Sequence, residues 1–517
     1  MMWVSVLIAV VPLGLLGIWL NAGAEGGFIP WQVVTLFASS YLAGGGFMLL
    51  GCLFWAWVVR LRTSVLGTAR FAGLREARKR GLLESRGVIL GKKDGKLLRF
   101  DDAGHILTIS RTRGGKGVSA VIPNLLAHEG SIFCIDIKGE NYAITAEERR
   151  GFGAVHPIAP FAGFSACLNP LDFIRQNTGE IDDCELVATL IVTPSSGDDA
   201  FWEREARTLI SSLIQFVMRH RDKEAKTLAE VRKLLTLPAS DFDELLAEMA
   251  VSKHAWIRRN ANAFSQKADK ERSGVISTAQ SHTRFLDSPN IQRVTAQSDF
   301  KFTDMKHQMT SVYLIMPPHQ VTVYRQFMRL MVGLAQASMT RTHHHLADPV
   351  LFMLDEFPSL GKMPIAGFAY LAGYQVRLWV FSQSMSQLEA VYGKAAGMIL
   401  SNCAVQQIWS VAPSDIATAE HLSRTLGDKT VRSYSHSKSA TSKLPLTSKS
   451  FSESEGRLTR RLLTPDEILC LPETLMILMI AGARPFLATR FIYYKDKLFA
   501  GRYGEWLGTY GGEHDTT

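Results

Sequence analysis

A chain of 517 residues has room for two or three domains, and 47% hydrophobic against 20% charged residues is a globular composition with some extra apolar content. Six cysteines without a C-x-x-C pair exclude that redox or zinc signature and leave buried free thiols in a reducing compartment. A net charge of +9, with an isoelectric point near 9.2, fits a polyanion and an anionic membrane surface equally well, so charge alone does not single out DNA as a partner.

The extra apolar content is concentrated at the start of the chain. Residues 1–24 carry no charge, and beyond Glu25 a second uncharged run covers 28–59. Crossing a hydrocarbon core takes about 20 apolar residues, so both runs read as transmembrane helices, with 1–60 an anchor of two helices and a short external loop. The rival for the first run is a cleaved signal peptide, because Ala22-Gly23-Ala24 resembles a cleavage site; Met1-Met2-Trp3 lacks the basic start such a peptide needs. Arg60, Arg62, Arg70, Arg75, Arg78, Lys79 and Arg80 crowd the exit of the second run, whereas the connecting loop offers only Glu25. The positive-inside rule then puts 60–517 in the cytoplasm. Gly44-Gly45-Gly46 fits either helix flexibility or close helix packing.

After the basic linker, "GVILGKKDGKLLRFDD" predicts a β-hairpin turning at Lys93-Asp94-Gly95. It leads into a buried strand, His105-Ile-Leu-Thr-Ile109, then the loop "SRTRGGKG", then a helix over 118–126. Residues 131–135 form another buried strand, ending at Asp136. Between about 172 and 299 the pattern turns helical. In "FWEREARTLISSLIQFVMRH", Phe201, Ala206, Leu209, Leu213, Phe216 and Val217 share one helical face. Strand patterns resume at 311–317, 349–357, 376–383, 404–411, 475–482 and 486–494, mostly as unbroken apolar runs suited to a largely parallel sheet buried on both faces. The expected fold is α/β, a nucleotide-binding domain in two parts, 61–171 and 300–497, interrupted by an all-α domain at 172–299 and followed by a tail at 498–517. Residues 433–456, rich in Ser and Lys without an apolar period, are expected to form a mobile loop.

"SRTRGGKG" is a phosphate-binding loop with two departures from G-x-x-x-x-G-K-[ST]: Ser110 replaces the first Gly and Gly117 the final hydroxyl residue. Such a loop works through main-chain N–H groups converging on phosphate oxygens, a helix presenting its positive end and a lysine bridging the outer phosphates. Ser110, Arg111, Thr112, Arg113, Gly114, Gly115, Lys116, Gly117 and Val118 are therefore the candidate nucleotide-binding residues, with Gly114 and Gly115 permitting the turn and Lys116 supplying the cation. Ser110 is tolerable if its φ stays negative. Gly117 matters more, since the usual hydroxyl ligates Mg²⁺; a water could take its place, whereas Ser119 lies too far round the helix.

A second element raises the weight of the first. The apolar strand "VLFML" delivers Asp355 and Glu356 at its carboxyl end, where α/β sheets place ligands. Asp355 would hold Mg²⁺ through water, and Glu356 would polarise the water that attacks the γ-phosphate of ATP. Gln383, closing the strand 376–383, would sense that phosphate or orient the water. Arg377, at the opposite end of the same strand, fits either an arginine finger for a neighbouring subunit or a surface ion pair. His343-His344-His345 reads as a solvated turn rather than a metal site, for want of spaced ligands.

The blocks "GTARFAGLREARKRGLL", "TRGGKGVSAVIPNLL", "IDIKGENY", "FWEREARTLI", "ERSGVISTAQSH", "LDEFPSLG", "FSQSMSQL" and "RRLLTPDEILCLP" resemble, in order, those of the VirD4/TraG family of type IV secretion coupling proteins, over about 66–494. Members resembling TraG often carry T-R-S-G-K-G, so Gly117 fits a subfamily habit. The resemblance implies a RecA-like P-loop NTPase domain and an all-α domain near its cytoplasmic mouth. It also implies homo-hexamers around a channel at the bacterial inner membrane. As cofactors it implies ATP and Mg²⁺. As partners it implies a relaxase or relaxosome with single-stranded DNA, or protein effectors, and the inner-membrane and ATPase components of the secretion apparatus. It makes Lys116 the phosphate lysine, Asp355 and Glu356 the metal and water-activating pair, and Gln383 the sensor. Two alternatives remain: export of protein effectors only, and a docking scaffold that does not hydrolyse ATP.

Overall fold

The computed structural model describes residues 66–506 together with Gly51, Cys52 and Phe54, apart from 177, 193–198, 364–366 and 444–445. The two transmembrane helices expected within 1–60 lie outside the described residues, and among the described residues no helix is long and apolar enough to cross a membrane. Two compact units emerge: one takes in Gly427–Arg460 and the chain up to Thr68, the other Ala69–Leu426 with Arg461–Thr517.

The strands in chain order are β1 (Val88–Lys93), β2 (Lys96–Phe100), β3 (His105–Ile109), β4 (Ile132–Asp136), β5 (Ala154–Ile158), β6 (Thr310–Ile315) and β7 (Val350–Leu354). There follow β8 (Val376–Ser382), β9 (Cys403–Ile408), β10 (Asp428–Lys443), β11 (Leu446–Arg461), β12 (Leu475–Ile480) and β13 (Phe486–Thr489). All but β10 and β11 belong to one eleven-stranded sheet of order β2-β1-β13-β12-β9-β3-β8-β7-β4-β6-β5. From β9 to β5 neighbouring strands are parallel, whereas β12, β13, β1 and β2 add an antiparallel wing beyond β9.

Strands β3, β4, β7 and β8 are buried at every residue, as their unbroken apolar runs require. Successive side chains alternate between two cores: Ile109, Phe133, Phe352 and Val380 enter one, and Ile106, Cys134, Met353 and Trp379 the other. The first core continues without a break into the helical segment, through Val187, Phe216, Leu245 and Val275. In the hairpin, Asp94 (φ 48°) and Gly95 (φ 78°) take the two left-handed positions that a D-G turn provides, and Lys93 pairs with Lys96.

Among the described residues of 172–299 the regular elements are helical, from Glu180–Ile191 and Asp199–His220 to Asp269–Thr283 and Pro289–Thr295. The long helix Asp199–His220 buries Ala206, Leu209, Leu213, Phe216 and Val217, as its periodicity predicts, but leaves Phe201 exposed in its first turn. The joint between this segment and the sheet is close. In the helix Arg325–Met339, a Cβ on Gly333 would sit 2.3 Å from Leu190 Cδ2. One turn earlier, buried Arg329 donates from Nε and Nη2 to the Leu190 carbonyl, at 2.8 and 2.6 Å.

The structure departs from the sequence pattern in three further places. The segment 433–456 is not an irregular loop: β10 and β11 form a two-stranded ribbon. Its Ser- and Lys-rich sequence shows no alternation of apolar residues, so the period carried no strand signal there. Thr68 bridges Lys429 at its base, and Leu66 N–H donates to Thr430 Oγ1 at 3.0 Å. Strand β5 is absent from the sequence pattern because Pro157 interrupts it; at the edge of the sheet a missing N–H is tolerated. The helix expected over 118–126 opens as a π-helical turn, Gly117–Val121, and becomes α-helical at Ile122–Ala127. Pro123 has no N–H to return to Ser119, which favours the wider turn before it.

Candidate functional site

Parallel strands with the same polarity end together, and here β3, β8, β7 and β4 bring four loops to one edge of the sheet. The loop after β3 is anchored on both sides. Ser110 N–H donates to the Ser382 carbonyl at the end of β8 (3.1 Å), and Arg111 N–H to the Ser410 carbonyl beyond β9 (3.3 Å). Within it, Gly114 N–H returns to the Arg111 carbonyl at 2.9 Å. Gly114 allows that closure, since a Cβ there would lie 2.1 Å from Ser110 Oγ. The left-handed positions fall on Arg113 (φ 60°) and Gly115 (φ 80°); Ser110 is not among the residues with positive φ, so its Cβ causes no strain.

Each predicted loop residue has a distinct setting. Ser110 is fully buried with its hydroxyl unpartnered; Thr112 and Arg113 form an exposed crest; Arg111 reaches out to Glu473 at 2.7 Å. Val118 packs with Ile89 and Ile122 beneath the following helix. Lys116 is buried, and its Nζ lies 2.9 Å from Glu356 Oε1. Glu356 Oε2 accepts from Gln383 Nε2 at 3.1 Å, so the loop lysine, the strand-end glutamate and the glutamine form one chain of contacts. Glu356 adopts a left-handed backbone (φ 51°), and its N–H donates to Asp355 Oδ1 at 3.1 Å. That turn sets the two adjacent carboxylates in different directions.

Burial raises the Asp355 carboxyl to about 6; Lys116 pulls it down and Glu356 pushes it up. Asp136, ending β4, is raised to about 7, first by burial, while backbone N–H groups of Tyr142, Gly139 and Lys138 hold it down and the Asp355 charge pushes it up. Asp136 was not singled out from the sequence, although it satisfies the rule that selected Asp355: a carboxylate at the carboxyl end of a buried strand. Trp409 and Arg490 were missed too. The Trp409 Nε1–H donates to the Gly114 carbonyl at 2.7 Å, and Arg490 Nη1 donates to the same oxygen. No local pattern marks Arg490, which reaches the loop only because β13 belongs to the antiparallel wing.

The donor set fits Mg²⁺ bound the way that ion is ordinarily held, by one or two carboxylates together with phosphate oxygens and water. Asp355 and Glu356 stand beside the loop, and among the described residues no cluster of three His, Cys, Asp or Glu could enclose a metal by itself. At Gly117 a Cβ would meet nothing within 4 Å, so the place of the usual hydroxyl is open space.

Arg377 does not join this group. It lies at the opposite end of β8, 1% exposed, with its guanidinium donating to the Asp102 carbonyl and set 5.4 Å from the Phe100 ring. Burial lowers it to about 10. It is therefore no surface ion pair, and a guanidinium enclosed by its own chain is not presented to a neighbour as an arginine finger must be. His343, His344 and His345 are exposed; His344 stacks on His307 at 4.8 Å and His343 on Tyr374 at 5.5 Å.

Comparison with known proteins follows the same lines. The family model for type IV secretory system conjugative DNA transfer matches residues 70–507. A conjugal transfer protein TraG of Escherichia coli is 31% identical over 501 residues, covering 84% of this chain and 78% of its own length. Protein VirD4 of Agrobacterium fabrum (strain C58 / ATCC 33970) is 28% identical over 468 residues, covering 84% of this chain and 66% of its own. Among solved structures, the plasmid coupling protein TrwB in complex with ADP and Mg²⁺ superposes with a TM-score of 0.63 at 16% identity, covering 83% of this chain and 95% of that one. That likeness establishes a shared fold.

Proposed function

The chain belongs to the VirD4/TraG family of type IV secretion coupling proteins, and from that membership we propose a membrane-anchored ATPase that recruits relaxase-bound single-stranded DNA, protein substrates or both to a type IV secretion channel and energises their transfer. The observation that supports it most is the contact chain Lys116–Glu356–Gln383 beside a loop built to cradle phosphate.

Lys116, now paired with Glu356, is placed to exchange that carboxylate for phosphate oxygens, which frees Glu356 to accept a proton from an attacking water. Gln383 orients the Glu356 carboxylate through its other oxygen. Asp355 would hold Mg²⁺ through water; when bound, the ion neutralises charge on the phosphates. The loop's main-chain N–H groups supply the remaining stabilisation, which costs little reorganisation because the loop is already pinned to β8 and β9. In this proposal residues 1–60 anchor the protein in the bacterial inner membrane, the all-α segment 172–299 reads the substrate, and subunits act as a homo-hexamer around the channel. DNA would be gripped mainly through its phosphates.

Lys116→Ala and Glu356→Gln should each abolish transfer while leaving membrane insertion intact, scored for plasmid DNA and a tagged protein side by side. Full transfer by both variants would refute the motor. Transfer of protein alone would favour export of effectors. The open position at Gly117 supports one other reading, a docking scaffold without turnover. ATP hydrolysis that depends on Glu356 excludes it.

A further inference from the structure

A phosphate loop binds through the direction of its N–H groups, and that direction must be set by something. In this chain the Gly114 carbonyl takes two donors from outside the loop: the Trp409 indole N–H at 2.7 Å and the Arg490 guanidinium. Trp409, 2% exposed, immediately follows β9; Arg490 immediately follows β13. The two side chains support each other, with the guanidinium 6.0 Å from the indole ring. Arg490 is held in turn by its backbone N–H, which donates to the Thr474 carbonyl at 2.8 Å.

In a trans peptide the carbonyl of one residue and the N–H of the next point in opposite directions. Fixing the Gly114 carbonyl towards Trp409 and Arg490 therefore turns the Gly115 N–H away from them, and among the described residues that N–H donates to no other group. Gly115 itself has a left-handed φ of 80°, a backbone state open to glycine without a Cβ penalty. A Cβ at Gly115 would lie 3.3 Å from the Arg490 guanidinium, so the arginine also lies against the loop itself. We infer that Trp409 and Arg490 are positioning residues for nucleotide: through the Gly114 carbonyl they hold the Gly115 N–H ready for a phosphate oxygen. Arg490 also places a positive charge beside the loop, on the side of Gly115. The antiparallel wing thereby has a part in the site, since it carries Arg490 to the loop.

The inference rests on the proposed phosphate site, and the test separates the two. The full chain in detergent is assayed for MgATP binding and turnover as wild type, Arg490→Gln, Arg490→Lys, Trp409→Phe and the double variant Arg490→Gln/Trp409→Phe, with thermal melting for each. One hydrogen bond to a strategic group corresponds to about a tenfold change in affinity. Arg490→Gln and Trp409→Phe should each raise KM for ATP about tenfold with kcat little changed, the double variant should be weaker still, and Arg490→Lys should recover part of the loss. Arg490→Gln and Trp409→Phe that melt like wild type and keep its KM would overturn the inference. If Trp409→Phe does not fold, Arg490→Gln alone decides. A wild-type protein that binds no MgATP would instead overturn the phosphate site, and this inference with it.

Discussion

His105, the first residue of β3, uses both ring nitrogens: Nδ1 accepts from Leu378 N–H at 3.1 Å, and Nε2 lies 3.0 Å from the Phe368 carbonyl, which it serves as donor. Only the neutral ring can do both. Burial lowers its pKa to about 4, with the Phe368 contact opposing and Arg377 assisting. A histidine held neutral in the fold contributes stability that is complete above its unfolded pKa near 6.5 and is lost as pH falls towards 4. Melting temperature measured from pH 7.5 to 4 should fall more steeply below 6.5 in wild type than in His105→Gln, which does not titrate. Equal slopes would show that this ring does not govern the acid limb. Asp136, raised to about 7, has the opposite sign: its contribution is present at low pH and is lost as pH rises towards 7.

The helix Arg325–Met339 meets the helix Glu180–Ile191 where Gly333 lets Leu190 approach. Gly333→Ala would push a methyl into Leu190 Cδ2, an overpacking that costs about 1–3 kcal/mol. The loss should show as a lower melting temperature, and Leu190→Ala added to it should restore part of that loss, since the removed side chain makes room. Additive losses would place the strain elsewhere. The same joint shows why some contacts cannot be read from a pattern. Leu190 has an ordinary place in a helical period, and only packing reveals that its carbonyl is the acceptor for buried Arg329.

At the scale of the whole molecule, the two transmembrane helices proposed for 1–60 make a prediction about orientation. If the positive-inside rule applies, a reporter active only outside the cytoplasm should work when fused at Glu25 and fail when fused after Arg80, with a cytoplasmic reporter giving the reverse. The opposite pattern would remove the proposed cytoplasmic motor from its ATP. Lys116, Asp355, Glu356 and Gln383 follow parallel strands and Arg490 follows a strand of the antiparallel wing, so the site draws on both parts of the mixed sheet.

The α/β class, the buried strands and the residues Lys116, Glu356 and Gln383 were legible in the chain because each rests on local physics: unbroken apolar runs, a glycine turn before a helix, a polar group at a strand end. Asp136 was legible by the same rule and was passed over. Strand β5 and the β10–β11 ribbon were not, since Pro157 interrupts the first and the Ser- and Lys-rich sequence of the second has no apolar period. Trp409, Arg490 and the burial of Arg377 were settled by strand order alone. Contacts between residues hundreds of positions apart depend on which strands become neighbours, and no short stretch of sequence encodes that.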